Sequence, residues 1–301
     1  MSYQTPILFL VFNRPDLTQR VLKEISVIKP TNFFIAIDGP REGKIGEKDK
    51  CDEVKQIIKE GVNWPCNLKL LVRENNLGCG IAVSTAIDWF FDNVNEGIIL
   101  EDDCLPLPNF FHFCEELLIK YRYNNKITHI SGNNFQCGIK RGNADYYFSE
   151  YTHIWGWATW KRAWVNYNYD MKGYSPEFIN KNNVKITNRL SRNFLDEVYN
   201  KNINTWDVQW FYTNFINNSL AIIPNTNLIK NIGFNEDATH TIDIPSYIDK
   251  LVYKHLNLPI KHPVMLTVDI AADIYTSKHI FGINNKKNIL QRVINKIIRL
   301  F

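Results

Sequence analysis

The chain has 301 residues, 45% of them apolar and 13% aromatic, enough to bury the core of one large domain or two closely joined ones. This composition excludes a disordered or fibrous chain. The formal charge of +4 is small for the length, and the basic residues are scattered until the C-terminus, which excludes a nucleic-acid-binding stripe. Six cysteines, Cys51, Cys66, Cys79, Cys104, Cys114 and Cys137, share no repeated short spacing. That argues against a zinc ribbon or a disulfide scaffold and for reduced, mostly buried thiols. The apolar run at 6–12 is too short to span a bilayer, and no basic segment with a long apolar stretch and cleavage site opens the chain. A cytoplasmic location is therefore expected.

Apolar runs at 6–12, 33–38, 68–72, 97–101 and 127–131 read as strands, and helices are predicted to begin near Asp16, Glu47, Gly80 and Pro108. Repeated strand–helix alternation predicts an α/β fold with a mainly parallel sheet, because parallel strands need crossovers and the crossovers cover both faces. Polar residues follow each strand: Asn13 and Arg14 after the first, Asp38 after the second, Arg73 after the third, and Glu101-Asp102-Asp103 after the fourth. The carboxyl edge of such a sheet is where open α/β folds bind ligands. Three consecutive carboxylates repel one another unless something cationic sits among them. Their hard oxygens suit Mg²⁺ or Mn²⁺ shared with phosphate oxygens. The other reading is a polar turn capping the helix near Pro108.

Between the third strand and its helix, Asn75-Asn76-Leu77-Gly78-Cys79-Gly80 reads as a tight turn into a helix N-terminus, where backbone N–H groups either meet a phosphate or allow close packing. Val83 stands where a dinucleotide fingerprint wants its third glycine. No Gly-Lys-Ser/Thr loop and no Gly-x-Ser-x-Gly elbow occurs. Arg14 and Arg73 each carry a fork matched to a diphosphate or to an acidic side chain, and Asp38, before Gly39-Pro40, either accepts a hydrogen bond from a base or ribose or makes an ordinary turn.

After Ser131 the alternation fails. Residues 133–175 are rich in aromatics and glycine, notably Tyr146-Tyr147-Phe148 and Ile154-Trp155-Gly156-Trp157-Ala158-Thr159-Trp160, and helices are predicted at 187–200 and 206–217. The expectation is a nucleotide-binding half at 1–132 and a less regular acceptor-side half at 133–285 laid over the sheet. Asp207, between Trp206 and Trp210, is either a helix N-cap or a general base in a partly apolar cleft. His240 is placed to reach a metal or phosphates, or to be a satisfied structural histidine. Residues 286–301 place Ile289/Leu290, Val293/Ile294, Ile297/Ile298 and Phe301 four apart, with Lys286, Lys287, Arg292, Lys296 and Arg299 between them. That pattern is a basic amphipathic helix, packed on the protein's own body or resting on an anionic membrane.

Taken in order, Phe12-Asn13-Arg14-Pro15, Ile37-Asp38-Gly39, Leu100-Glu101-Asp102-Asp103, Ile130-Ser131-Gly132-Asn133, Trp155-Gly156-Trp157 and Trp206-Asp207 resemble GT-A sugar-nucleotide glycosyltransferases, specifically the N-acetylglucosaminyltransferase I-like superfamily and the bacterial HlpA-like sugar transferases. The resemblance spans about residues 6 to 241, most of the chain. It implies a single GT-A, Rossmann-like fold for a nucleotide-diphospho-sugar transferase. It implies a UDP-sugar donor such as UDP-N-acetylglucosamine, with Arg14 on the diphosphate, Asp38 at the uracil, and Asn13, Arg73, Asn76, Gly78, Glu101 and Asp102 completing the donor site. Glu101-Asp102-Asp103 stands for the family's Asp-x-Asp signature, with Asp103 the direct ligand of Mn²⁺ or Mg²⁺; His240, from its own chemistry, is the other candidate metal ligand. Asp207 is the implied base of an inverting transfer. Trp155, Gly156, Trp157 and Trp206 border the sugar or acceptor, a glycan or glycolipid of a bacterial surface such as lipopolysaccharide or capsule, which would bring the protein to the inner face of the cell membrane. Val208 departs from the pattern, since the animal enzymes carry a second acidic residue there. A sugar-nucleotide pyrophosphorylase and a non-catalytic carbohydrate-binding protein are the other two classes the residues allow. The first normally has a glycine-rich loop where this chain has Asn13-Arg14-Pro15.

Overall fold

The computed structural model describes residues 3–175, 190, 192–234 and 245–283. Strands β1 (Ile7–Val11), β2 (Asn32–Ile37), β3 (Asn67–Val72) and β4 (Glu96–Glu101) lie side by side in the order β3-β2-β1-β4, all parallel. The crossovers between them carry α1 (Pro15–Ile28), α2 (Glu47–Gly61) and α3 (Gly78–Asn93). Every residue of β1 is buried because both of its faces are covered. Ile7, Phe9 and Val11 join Val21, Leu22 and Ile25 of α1 in one core, while Leu8 and Leu10 join Val83, Ala86, Ile87 and Phe90 of α3 in the other. A strand buried on both sides reads as a continuous apolar run, which is how β1 and β2 stand out in the sequence. Pro15 opens α1 at a position where its missing N–H costs nothing.

The remaining elements are β5 (Cys104–Pro106), α4 (Phe110–Tyr121), β6 (Ile127–Ser131), β7 (Tyr146–Ser149), β8 (Trp157–Trp160), α5 (Lys161–Trp164), α6 (Arg192–Tyr199), α7 (Asp207–Ile216), β9 (Leu220–Pro224), β10 (Ile229–Asn231), a 3₁₀ turn at Ile248–Lys250 and α8 (Ile270–His279). The full sheet has eight strands in the order β3-β2-β1-β4-β8-β6-β9-β7. Six run in one direction, and β8 and β7 run against them. This is the expected α/β architecture with a mainly parallel sheet.

The second half differs from the expected loose layer over the sheet. It supplies β7, β8 and β9 to the sheet itself, and β8 is inserted antiparallel between β4 and β6. Trp157 packs in the α3-side core, whereas Ala158 and Trp160 pack in the other. With both faces of β8 buried, apolar and polar residues do not alternate, so this strand resembles an aromatic loop in the sequence. The helix expected at 206–217 is α7. The one expected at 187–200 is observed as α6, and residues 176–189 and 191 lie outside the described part. So do His240 and the segment 286–301. All six cysteines are free, with Cys51, Cys104 and Cys114 buried. Among the described residues no helix is long and apolar enough to cross a membrane.

Candidate active site

The strand order brings the predicted residues into one row. β1 is flanked by β2 and β4, so the segment after it, Asn13-Arg14, emerges between Asp38 and Glu101-Asp102-Asp103, with Arg73 one strand further out. Backbone bonds extend the ladder to the edge: the Asp38 N–H donates to Val11 O at 3.1 Å and the Arg73 N–H to Ile37 O at 3.0 Å.

The cation among the three carboxylates is Arg14. Its Nη1 donates to Asp103 Oδ2 at 3.1 Å and its Nη2 pairs with Asp102. Burial works against the Arg14 charge, but Asp102 and Asp103 outweigh it and hold the guanidinium firmly protonated. The Glu101 carboxyl is pushed up by burial and then by the charge of Asp103, with Asp102 and Asp207 adding to the effect and Arg14 opposing it. The Asp102 carboxyl is also raised, by burial first, against the pull of Arg14. Asp102 and Asp103 share the single charge of Arg14, and a further cation would favour the ionised forms of the raised Glu101 and Asp102 carboxyls.

The segment before Asp207 packs on the start of α3, where a Cβ on Gly80 would meet Asn204 and Thr205. The charge of Asp207 adds to the raising of Glu101, and the Cys79 thiol is raised by burial and then by Glu101, Asp207 and Asp103. Asp207 is the first residue of α7 and not its N-cap. Trp206 occupies the cap position, no side chain caps the helix, and Asp207 Oδ1 accepts from Thr205 Oγ1. A carboxylate in a helix's first turn is favoured by the helix dipole, and Asp207 is half-buried there.

Asp38 forms a separate knot. Its carboxylate accepts from the Asn76 Nδ2 at 2.8 Å and the Leu77 N–H at 3.3 Å, and faces Arg73 at 3.9 Å. Arg73 in turn donates to Thr85 Oγ1 at 2.7 Å. Burial raises the Asp38 carboxyl, with the Leu77 N–H and Arg73 opposing. The two readings of the Asn75–Gly80 stretch resolve toward packing. Gly78 N–H donates to Asn76 Oδ1 at 3.0 Å and Gly80 N–H to Asn204 Oδ1 at 2.7 Å, so these N–H groups are taken up inside the protein and not aimed at a phosphate. The turn needs glycine because Gly78 has φ +74°, and a Cβ on Gly80 would lie 2.7 Å from Asn204 Oδ1 and 2.8 Å from Thr205 O. This close approach seats the segment before Asp207 against α3.

Of the four residues expected beside a sugar, two are core. Trp157 and Trp206 are 0% and 2% exposed and stack on each other with centroids 5.5 Å apart, and His129 stacks on Trp157 at 5.1 Å. Those rings offer no free face to a pyranose. Gly156, with φ +58°, packs against Ile229 and Leu100 and turns the chain into β8. Trp155 keeps exposed surface. It lies just before β8, beyond the last β4–β8 pair, Ile99 with Trp157. Its ring meets Phe135 edge-on at 5.0 Å and Phe234 at 5.7 Å.

Three contributors went unpredicted. Glu47, 5% exposed, accepts from Asn13 Nδ2 at 2.9 Å and from the Arg41 N–H at 2.6 Å, which employs Asn13 internally. The Arg41 hydrogen bonds hold its carboxyl below the usual range. In the sequence Glu47 marks only a helix start. Gly233 lies so close to Asp103 that an added Cβ would be 2.5 Å from Oδ2, and the Ile232 N–H donates to Asp103 O at 2.9 Å, so the segment after β10 walls the site. Asn133 is fully buried with its Nδ2 unpartnered, while its Oδ1 accepts from the Trp155 N–H at 3.2 Å.

The donor set fits a divalent cation only in part. Among the described residues no three His, Cys, Asp or Glu side chains are grouped to hold a metal ion. Asp102 Oδ2 is buried and unpartnered, beside Asp103. One or two carboxylates completed by phosphate oxygens and water are the usual setting of Mg²⁺. The residues present therefore fit a cation brought with a phosphorylated ligand and do not fit one held by protein alone.

No known protein family and no curated protein matches the chain. Among solved structures it is similar to a cytidylyltransferase from Leptospira borgpetersenii, at 12% identity and TM-score 0.35 over 65% of this chain and 74% of that one. It is similar to HddC from Yersinia pseudotuberculosis at 12% identity and TM-score 0.32, over 52% and 77% of the two chains. Mouse xyloside xylosyltransferase 1 gives 10% identity and TM-score 0.34, over 70% and 81%. Likeness at this level does not bear on the chemistry.

Proposed function

We propose that this protein is a glycosyltransferase that moves a sugar from a UDP-sugar, with inversion, to a hydroxyl of a bacterial surface glycan or glycolipid. The reading is supported by one observation: Arg14 pairs with Asp102 and Asp103 at the carboxyl edge of the sheet, and Asp207, whose preceding segment packs on the start of α3, acts electrostatically on Glu101. Asp207 takes the proton of the acceptor hydroxyl as its oxygen attacks the anomeric carbon. The bond from that carbon to the diphosphate oxygen breaks with its electron pair, and UDP leaves. Arg14, its fork held by Asp102 and Asp103, places a fixed positive charge near the departing diphosphate, electrostatics that need no reorganisation at the moment of reaction. A Mn²⁺ or Mg²⁺ at Asp103 supplies Lewis-acid stabilisation of the same charge when bound. Trp155, the half-buried aromatic before β8, borders the sugar or acceptor. Asp38 and Arg73, two and three strands from the acidic triplet, are spaced for the uridine end of the donor.

The site favours this over nucleotidyl transfer because β1 runs into α1 through Phe12, Asn13 and Arg14 alone, leaving no glycine-rich loop to wrap a triphosphate. The test is incubation of the full chain with UDP-sugars, MnCl₂ and an acceptor glycan, assayed for free UDP and for pyrophosphate. UDP release with glycan extension is expected. Pyrophosphate release, or no turnover with any donor together with metal-independent glycan binding, would overturn the reading.

A further inference from the structure

We propose that residues 250–283 form a docking surface for an anionic membrane, in which Val264, Met265, Ile270 and Ile274 enter the interface and the lysines of the same segment meet lipid headgroups. The inference is independent of the transferase reading.

It starts from α8, whose amphipathicity is reversed. The face turned into the protein carries Ala272, Asp273, Thr276 and Ser277. Asp273 accepts from Ser149 Oγ at 2.5 Å and from the Glu150 N–H at 3.1 Å, and Gln136 Nε2 donates to Thr276 Oγ1 at 2.9 Å. The large apolar residues point the other way: Ile270 is 64% exposed and Ile274, one turn on, 51%. A surface helix of a protein surrounded by water normally turns its apolar stripe to the core. Just before α8, Val264 and Met265 are 102% and 69% exposed, so a short stretch of chain presents four large apolar side chains outward.

The charge around them identifies the occupant. Residues 250–283 hold Lys250, Lys254, Lys261 and Lys278 against Asp269 and Asp273. Both aspartates are used internally, Asp273 as above and Asp269 as the α8 N-cap, accepting from the Ala272 N–H at 2.9 Å. Lys250, Lys254, Lys261 and Lys278 are exposed and make no ion pair among the described residues. On α2, by contrast, Lys48 and Lys55 both pair with Asp52. Apolar side chains within a field of unpaired cations match a surface that offers hydrocarbon and negative headgroups together. A second copy would bring a like-charged surface against this one, and nucleic acid would give the isoleucines nothing to enter.

The test is co-sedimentation of the full chain with vesicles of one part phosphatidylglycerol to two parts phosphatidylcholine, and with pure phosphatidylcholine. Binding to the first, weakened by salt, and little to the second is expected. V264S/M265S and I270S/I274S should each weaken partition about tenfold, since binding scales with the apolar area buried. Their melting temperatures should stay unchanged, because those side chains are already in water. Equal binding to both vesicle types, no binding to either, or full binding by both variants would overturn the proposal. A solution dimer that the same substitutions dissociate would overturn it in favour of a second copy.

Discussion

Arg14 donates from Nη1 to Asp103 Oδ2 at 3.1 Å while its Nη2 holds Asp102, so the segment that follows β1 places a cation against the acidic end of β4. The pair is mostly buried, with side-chain exposures of 16%, 3% and 19% for Arg14, Asp102 and Asp103. Removing one partner of such a pair strands the other charge, at a cost on the order of 3 kcal/mol. Arg14→Ala should therefore lower the melting temperature. Arg14 also competes with any divalent cation for the same oxygens, so MnCl₂ should raise the melting temperature of this variant more than that of the wild type. Scanning calorimetry with and without MnCl₂ decides it, and equal shifts in the two proteins would remove cation binding from Asp102 and Asp103.

Asp207→Asn keeps the shape of the side chain and its place in the first turn of α7 while removing the base. Donor binding, followed by calorimetry with UDP, should persist. Sugar transfer should fall by about 10²- to 10⁴-fold, the usual worth of a positioned base. Unchanged turnover would take Asp207 out of the mechanism.

The parallel half of the fold was legible because β1, β2 and β4 are buried on both faces and announce themselves as apolar runs closed by polar residues. That Arg14 would meet Asp102 and Asp103 was not, since the adjacency comes from β4 pairing with β1, a matter of strand order. The tryptophans show the opposite failure. Trp157 and Trp206 read as sugar platforms because an indole serves a binding site and a core equally well, and only the packing of His129 and the two indoles on one another separates the cases. Gly78 and Gly80 were correctly read as a tight turn. Their partner, Asn204, lies more than a hundred residues away and leaves no local signal.

Gly156 turns the chain between Trp155 and β8. Its φ of +58° strains any L side chain, and a Cβ there would stand 2.5 Å from Ile229 Cδ1 and 3.1 Å from Leu100 Cδ2. Backbone strain and overpacking together cost about 2 kcal/mol or more. Gly156→Ala should show that loss in urea unfolding with an unchanged m-value. A loss under about 0.5 kcal/mol would mean that the turn relaxes without strain.

The buried histidines make stability depend on pH. Burial pushes both His129 and His153 down to about 3, and in His153 the neighbouring His129 adds to the effect. His129 is held neutral with each ring nitrogen engaged: Nδ1 accepts from Trp210 Nε1 at 3.1 Å, and Nε2 faces His153 O at 2.9 Å. Between about pH 6.5 and pH 3 the unfolded chain binds these protons and the folded chain does not, so stability rises with pH through that window and is lost as pH falls. Each histidine contributes up to about 1.4 kcal/mol per pH unit below 6.5. Urea midpoints measured from pH 7.5 to pH 5 should fall accordingly, and His129→Gln should reduce the slope by roughly the share of one histidine. A slope identical to the wild type would show that His129 protonates in the folded protein, with its hydrogen bond from Trp210 broken.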